Sequence, residues 1–184
     1  MNPLLLLVAL GAVAADPAES APAADWPAAA ARAKAEGKDV AVLLDGSDWS
    51  PVATDFRERI AGAPAARQAL DRAHVRVIID HLERPSEADK ARAERNQPFG
   101  FRPWNLPALV LADDRGRAYA CLPAMESRDP ATFVVRLSAA LAARERMRGH
   151  LATAANLQGE RKADALGKAL AEIDLGLARD QFRD

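Results

Sequence analysis

The sequence predicts an α/β fold: a central mixed four-stranded sheet flanked by helices, with an αα-hairpin as a C-terminal extension. Short apolar runs of strand length alternate with longer helical segments along the chain. The first two runs are separated by helical sequence, which favours a parallel pair of strands, whereas the last two are joined by a tight turn typical of a hairpin. This order places helices on both faces of one sheet.

The composition excludes several classes of function. The chain has 184 residues and a formal net charge of −1, so we expect no nucleic-acid partner. Its single cysteine, Cys121, can form neither an intramolecular disulfide nor a Cys-x-x-Cys pair. The histidines are not at metal-ligand spacing, and the acidic cluster of Asp45, Asp48 and Asp55 matches no calcium loop, which favours capping and solvation. We predict neither a metal nor another cofactor.

The first residues are typical of a targeting segment. An apolar run over 4–10 is followed by small residues, which predicts a signal peptide over 1–15 that is cleaved after Ala14 or Ala15. The run is too short for a comfortable membrane span, although an uncleaved anchor or a buried helix stays an alternative. We therefore predict a periplasmic or secreted protein without a stable membrane anchor after cleavage. Residues 16–24 are predicted to be a linker, because they are rich in Ala and Pro.

Caps and breakers define the elements that follow the linker. Asp25 and Pro27 begin the first helix, which Gly37 ends. Ser50 and Pro51 begin a second helix in the same way. The predicted strands are 40–44, 75–80, 107–111 and 117–122. The predicted helices after the first are 51–60, 65–73, 86–96 and one from 129 to about 147.

The C-terminal part carries an apolar stripe at helical spacing, which predicts a further helix over about 160–179. The stripe consists of Leu166, Leu170, Ile173 and Leu177. Together with the preceding helix it forms the predicted αα-hairpin. We therefore divide the chain into a domain over 25–146 and a C-terminal helical extension over 147–184.

Local motifs, together with this order of elements, resemble those of a known protein family. Thioredoxin-like proteins place a Trp-Cys-x-x-Cys segment after the first central strand, and residues 42–53 (VLLDGSDWSPVA) resemble that segment. The run 46–49 is similar to what several exported thioredoxin-like proteins show just before the first cysteine. Residues 105–111 resemble the segment that bears the family's cis-proline. The resemblance covers about 25–141 and implies a thioredoxin-like fold.

The departures from the family pattern lie at the redox positions. Ser50 stands where the nucleophilic cysteine belongs, and Ala53 where the resolving cysteine belongs. A serine hydroxyl stays protonated and attacks sulfur poorly, and alanine has no reactive group. The resemblance therefore implies a degenerate active site, and we predict no catalytic residue. We expect Ser50 to cap the helix, and a serine nucleophile with a base distant in sequence is the alternative.

The resemblance also implies a binding groove. It implies a cis peptide bond between Leu106 and Pro107, with Pro107 facing the Ser50 loop, whereas an ordinary trans proline opening a strand is the alternative. In active relatives this proline helps an extended substrate to lie against the site. The residues expected to form the groove are Trp49, Ser50, Pro51, Leu106, Pro107 and, from the aromatic cluster 99–104, Trp104. For the aromatic cluster as a whole, core or loop packing is favoured over lining a binding surface.

These observations lead to a functional hypothesis. We expect an exported thioredoxin-like protein without the redox dithiol, acting as a non-catalytic peptide- or protein-binding module of the cell envelope. The alternative is an enzyme related to thiol–disulfide oxidoreductases that uses Cys121 or another nucleophile. Cys121 would then be a reactive thiol and not a small part-buried hydrophobe. A third hypothesis gives the αα-hairpin an assembly role.

Overall fold

The computed structural model describes residues 21–102 and 106–173. The predicted signal peptide, the start of the predicted linker, Trp104 and Leu177 lie outside this part of the chain. Among the described residues, no helix is both long enough and apolar enough to cross a membrane. The elements are α1 (Trp26–Glu36), β1 (Asp39–Asp45), α2 (Pro51–Asp55), a π-helical turn (Phe56–Ile60), α3 (Pro64–Ala73), β2 (His74–Asp80), α4 (Glu87–Asn96), β3 (Ala108–Ala112), β4 (Ala118–Pro123), a 3₁₀ turn (Ala124–Glu126), α5 (Pro130–Ala155) and α6 (Gly159–Ala171).

The four strands form one mixed sheet in the order β2-β1-β3-β4. β1 pairs with β2 in parallel, whereas the pairs β1–β3 and β3–β4 are antiparallel. The helical segment between β1 and β2 makes the crossover that a parallel pair requires. The predicted α/β architecture with a mixed four-stranded sheet and an αα-hairpin is therefore confirmed.

Apolar side chains on both faces of the sheet form the core. Every residue of β1 and β3 is buried, as expected for central strands covered by helices on both sides. On one face, Leu43 and Leu111 pack with Phe56 and Phe133, whose rings meet edge to face at 5.4 Å. On the other face, side chains such as Val42 pack with the helix α1. The two layers fix β1 in the middle of the molecule.

Several boundaries differ from the predicted ones. The helix that begins at Pro51 changes to a π-helical turn at Phe56, so the predicted single helix over 51–60 is wrong in its second half. Near the end of the predicted linker, Ala23 forms a parallel bridge with Val77, which brings it to the outer edge of β2. The predicted domain boundary at residue 146 falls inside the uninterrupted helix α5.

The αα-hairpin packs its helices through small side chains and one ion pair. Ala165 and Ala169 of α6 are buried, which allows the two helix backbones to approach closely. The guanidinium of Arg146 on α5 donates to the carboxylate of Glu172 at distances between 2.8 and 3.0 Å. Because the Arg146 side chain is largely exposed and Glu172 is only half-buried, the packing contributes more to the hairpin than the ion pair does.

A buried carboxylate connects the sheet to α5. Asp39, at the start of β1, accepts two hydrogen bonds from the guanidinium of Arg144, at 2.8 and 3.1 Å. Arg148, one helical turn further along α5, lies 3.0 Å from the same carboxylate. These cations outweigh the cost of burying Asp39, so the pKa of its carboxyl lies below the usual value. The charge of Asp39 is therefore balanced within the fold.

Two further polar side chains complete this cluster. The imidazole of His74 lies 2.7 Å from the hydroxyl of Tyr119, and both groups are buried. The guanidinium of Arg144 lies over the Tyr119 ring at 4.5 Å. Burial raises the pKa of the Tyr119 hydroxyl and lowers the pKa of His74 to about 4, with Asp39 opposing the shift at His74. His74 is therefore neutral in the folded protein at neutral pH.

We expect this neutral histidine to make stability depend on pH. His74 has an ordinary pKa near 6.5 when unfolded, so between about pH 6.5 and pH 4 the unfolded chain binds a proton that the folded chain does not. Stability is therefore complete above this window and falls as the pH decreases through it. Urea unfolding at pH 5 should give a free energy about 2 kcal/mol lower than at pH 7.5. A His74→Gln variant should lose most of this slope, and an unchanged slope would contradict the assignment.

Candidate functional site

The strand register brings the two parts of the predicted groove to one end of the sheet. β1 and β3 are antiparallel, and Leu44 near the end of β1 pairs with Ala108 at the start of β3. The loop with Ser50 follows β1, and Pro107 directly precedes Ala108. The peptide bond between Leu106 and Pro107 is cis. Pro107 is buried, and its carbonyl accepts a hydrogen bond from the backbone N–H of Ala124 at 2.9 Å.

Trp49 is exposed but held in a defined position. Its indole N–H donates to the carbonyl of His81 at 2.7 Å, while 46% of the residue remains accessible to solvent. The ring lies against Gly46, where a Cβ atom would approach the ring carbons to 2.5 Å. A side chain at position 46 would therefore displace the tryptophan ring from this position. The result is an aromatic surface fixed beside the start of α2.

Ser50 acts as the N-cap of α2. It has extended backbone angles, and its hydroxyl accepts a hydrogen bond from the backbone N–H of Ala53 at 3.2 Å. This is the cap expected from the sequence, and Pro51 occupies the first turn as expected. Ala53 is completely buried, whereas Val52 is 51% exposed. The site therefore presents a capped helix start with one exposed aliphatic side chain.

Asp48 attaches the loop that precedes Ser50 to the segment that follows β2. Its carboxylate oxygens accept hydrogen bonds from the backbone N–H groups of Glu83 and Arg84, each at 3.0 Å. These two bonds lower the pKa of the Asp48 carboxyl. Ser47 is hydrogen-bonded to Asp80 through both its backbone N–H and its hydroxyl. The loop is therefore attached to the segment that follows β2, which defines its conformation.

The other acidic residues near the loop have separate partners. Asp45 is fully buried and forms an ion pair with Arg57, whereas Asp55 pairs at the surface with Arg59 at 2.7 Å. Within the described ranges, no three His, Cys, Asp or Glu side chains are grouped so that they could hold a metal ion. The acidic side chains near the loop therefore act locally, as caps and ion-pair partners.

The aromatic cluster before Pro107 divides between the core and the surface. Phe99 is buried and packs against Trp26 with ring centroids 4.9 Å apart. Phe101 is half-buried at the edge of the same apolar layer. The prediction that Trp104 contributes to the groove falls outside the described residues. Phe99 thus has the core role that the sequence favours for this cluster.

Cys121 lies away from the Ser50 loop in the strand order. It is half-buried in β4, where it pairs with Val110 of β3. Since β3 lies between β4 and β1, a whole strand separates Cys121 from the strand that leads into the loop. Cys121 also contributes to the wall of a surface groove between β4 and α5, together with Arg136.

The polar cluster of Asp39, Tyr119 and Arg144 was not found by sequence reasoning. One signal was available, because Asp39 directly precedes an apolar run and a charge at the start of a buried strand requires a partner. The sequence does not identify that partner, since Arg144 lies 105 residues further along the chain. This cluster lies at the opposite end of β1 from the Ser50 loop.

Comparison with known proteins establishes the fold of this chain. Among solved structures, three chains match it, including one described as DsbH oxidoreductase. That structure superposes with a TM-score of 0.53 and is 19% identical in sequence, covering 68% of this chain and 89% of its own. The protein therefore has a thioredoxin-like fold. No protein-family model matches the chain, and no curated protein matches it significantly.

The hydrogen bond of Ser50 predicts a measurable capping effect. Ser50→Ala removes the acceptor for the Ala53 N–H and should lower the free energy of unfolding by about 1 kcal/mol. Ser50→Asp keeps an acceptor at this position and should remain close to the parent protein. Urea denaturation followed by circular dichroism measures both variants. Equal stability of the alanine variant and the parent would show that the cap contributes nothing.

Proposed function

We propose that this chain is an exported thioredoxin-fold protein without dithiol chemistry, which binds an extended peptide or protein segment in the cell envelope. The contact surface is the groove between the Ser50 loop and the Leu106–Pro107 segment. The observation that carries this proposal is an exposed apolar pair, Trp49 and Val52, beside a helix start capped by serine. The apolar run and small residues over 1–15 support export.

The absence of cysteine at the helix start supports a role without catalysis. Thiol–disulfide exchange requires a thiolate that attacks a disulfide sulfur. Here the hydroxyl of Ser50 is engaged as an acceptor from a backbone N–H, and Ala53 contributes only a buried methyl group. Cys121, the remaining thiol, is half-buried in β4 beyond β3. None of these groups supplies a reactive pair of thiols.

The exposed side chains support binding of an apolar segment. Trp49 and Val52 are 46% and 51% exposed, and both flank the start of α2. A tryptophan held by a hydrogen bond loses little conformational freedom when a partner covers it, which makes it an efficient contact. Leu106 is half-buried and adds apolar surface next to Pro107. A peptide with apolar side chains would bury this surface without requiring a charged anchor.

Substitutions in this surface test the proposal directly. We expect the purified chain to bind a subset of an array of random peptides enriched in apolar side chains. Trp49→Ala and Val52→Asp should each lower the affinity for a selected peptide by about tenfold or more, as for a central apolar contact. Fluorescence polarisation measures this affinity. Val135→Asp is the matched control, because Val135 is 69% exposed on α5. An equal loss of affinity in all three variants, or a failure of every peptide in the array to bind, would refute the proposed groove.

Restoring the thiols tests whether the scaffold matches that of a redox protein. In a Cys121→Ser background, Ser50→Cys combined with Ala53→Cys should produce insulin-disulfide reductase activity, because a helix N-terminus lowers the pKa of a thiol. The parent and the Cys121→Ser protein should both be inactive. Reductase activity of the parent that disappears in Cys121→Ser would instead favour the alternative enzyme. An oxidised double variant without activity would contradict the placement of Ser50 at the redox position.

A further inference from the structure

An apolar cavity of ≈ 310 Å³ lies between the strand β4 and the helices α5 and α6. Among the described residues that line it, the charged side chains are already paired. Arg117 lies 2.6 Å from the carboxylate of Asp113, and Arg144 lies 2.8 Å from that of Asp39. The cavity therefore favours an occupant that supplies apolar surface and no charge.

Three leucines in the wall of this cavity are exposed to solvent. Leu151 of α5 is 43% exposed, and Leu166 and Leu170 of α6 are 38% and 53% exposed. Exposed apolar side chains that are scattered singly need no explanation, but a cluster around a concave surface marks a contact site. We call these three side chains the leucine face.

The last described residue, Ile173, lies in the wall of the same cavity. The helix α6 ends at Ala171, before the predicted end at about residue 179, and the backbone turns at Glu172 and bends at Ile173. The N–H of Ile173 donates to the carbonyl of Leu170 at 3.1 Å. The Ile173 side chain packs against the apolar layers on both faces of the sheet. The residues that follow therefore start from a fixed point beside the leucine face.

The sequence after Ile173 supplies apolar side chains close to this point. Leu175 and Leu177 follow Ile173 at alternate positions, so all three side chains can lie on one side of an extended segment. Leu166 lies seven residues before Ile173, which corresponds to a rise of about 10 Å along a helix. The four residues from Ile173 to Leu177 span about 13 Å when extended. Leu177 can therefore reach the level of Leu166 on α6.

We propose that the C-terminal segment 174–184 folds back along α6 and covers the leucine face with Leu175 and Leu177. The segment is tethered at Ile173, which gives it an effective concentration in the millimolar range at the cavity. A second copy of the chain or a free ligand would lose translational and rotational freedom on binding, and the tethered segment avoids this cost. The contact buries apolar surface where the neighbouring charges are already paired, so no charge is left unmatched.

Photo-cross-linking in the full chain tests where the segment lies. Benzoylphenylalanine in place of Leu177 should cross-link to the peptides that contain the leucine face, within one chain. The same label in place of Arg183 should give a several-fold lower yield of these products. Mixing chains labelled with light and heavy nitrogen separates cross-links within a chain from those between chains. Equal yields from the two labels would indicate random contact, and products between chains would indicate a second copy as the occupant; either result would overturn the proposal.

An aspartate substitution in the segment tests the same contact by its loss. Leu177→Asp in the full chain should raise the affinity for the dye anilinonaphthalene sulfonate about tenfold, as when a covering segment leaves a surface free about a tenth of the time. Gln181→Asp is the matched control, because it adds the same charge and should leave the dye affinity unchanged. Adding Leu170→Asn to Leu177→Asp should cancel the gain, while the circular dichroism spectrum is retained in each variant. An unchanged affinity in Leu177→Asp, an equal gain in Gln181→Asp, or a gain that persists with Leu170→Asn would each contradict the proposed contact.

Discussion

The carboxylate of Asp39 is the interaction on which the assembly of this fold depends. It begins the central strand β1 and is held by Arg144 and Arg148, both of which belong to α5. A buried charge without partners would cost several kcal/mol, so these arginines strongly favour the packing of the helix against the strand. Because α6 packs on α5, the position of the whole hairpin relative to the sheet follows from this contact. Tyr119 connects β4 to the same cluster, because its ring lies under the guanidinium of Arg144.

The strand β1 connects the charged cluster around Asp39 to the loop with Ser50. Its first residue, Asp39, belongs to the cluster with Arg144 and Tyr119, and its last residue, Asp45, leads into the loop with Trp49 and Ser50. A strand of seven residues spans about 23 Å, so the cluster and the loop lie far apart but are joined by one fully buried element. Both ends of that element carry a buried aspartate paired with arginine, Asp45 with Arg57 and Asp39 with Arg144.

Local signals in the sequence predict much of this structure, and distant pairings account for the rest. Ser50 and Pro51 form the helix start that their residue types favour, and the apolar runs become the strands β1 to β4, since burial on both faces requires such runs. The π-helical turn at Phe56 has no local signal in the sequence, and the ring of Phe56 packs there against Phe133, which is distant in the chain. The contact between Asp39 and Arg144 was not predictable, because it joins residues 105 positions apart in the chain.

The length of the helix α5 determines how the hairpin is placed relative to the sheet. It runs for 26 residues without interruption, with Phe133 and Leu137 in the core near its start, Arg144 and Arg148 on Asp39, and Ala154 buried near its end. Each residue added to or removed from a helix rotates everything beyond it by about 100°. A single-residue insertion between Leu137 and Arg144 would therefore turn the arginines away from Asp39 and carry α6 around the axis. Sequence length in this helix is consequently under tighter constraint than residue identity along its exposed face.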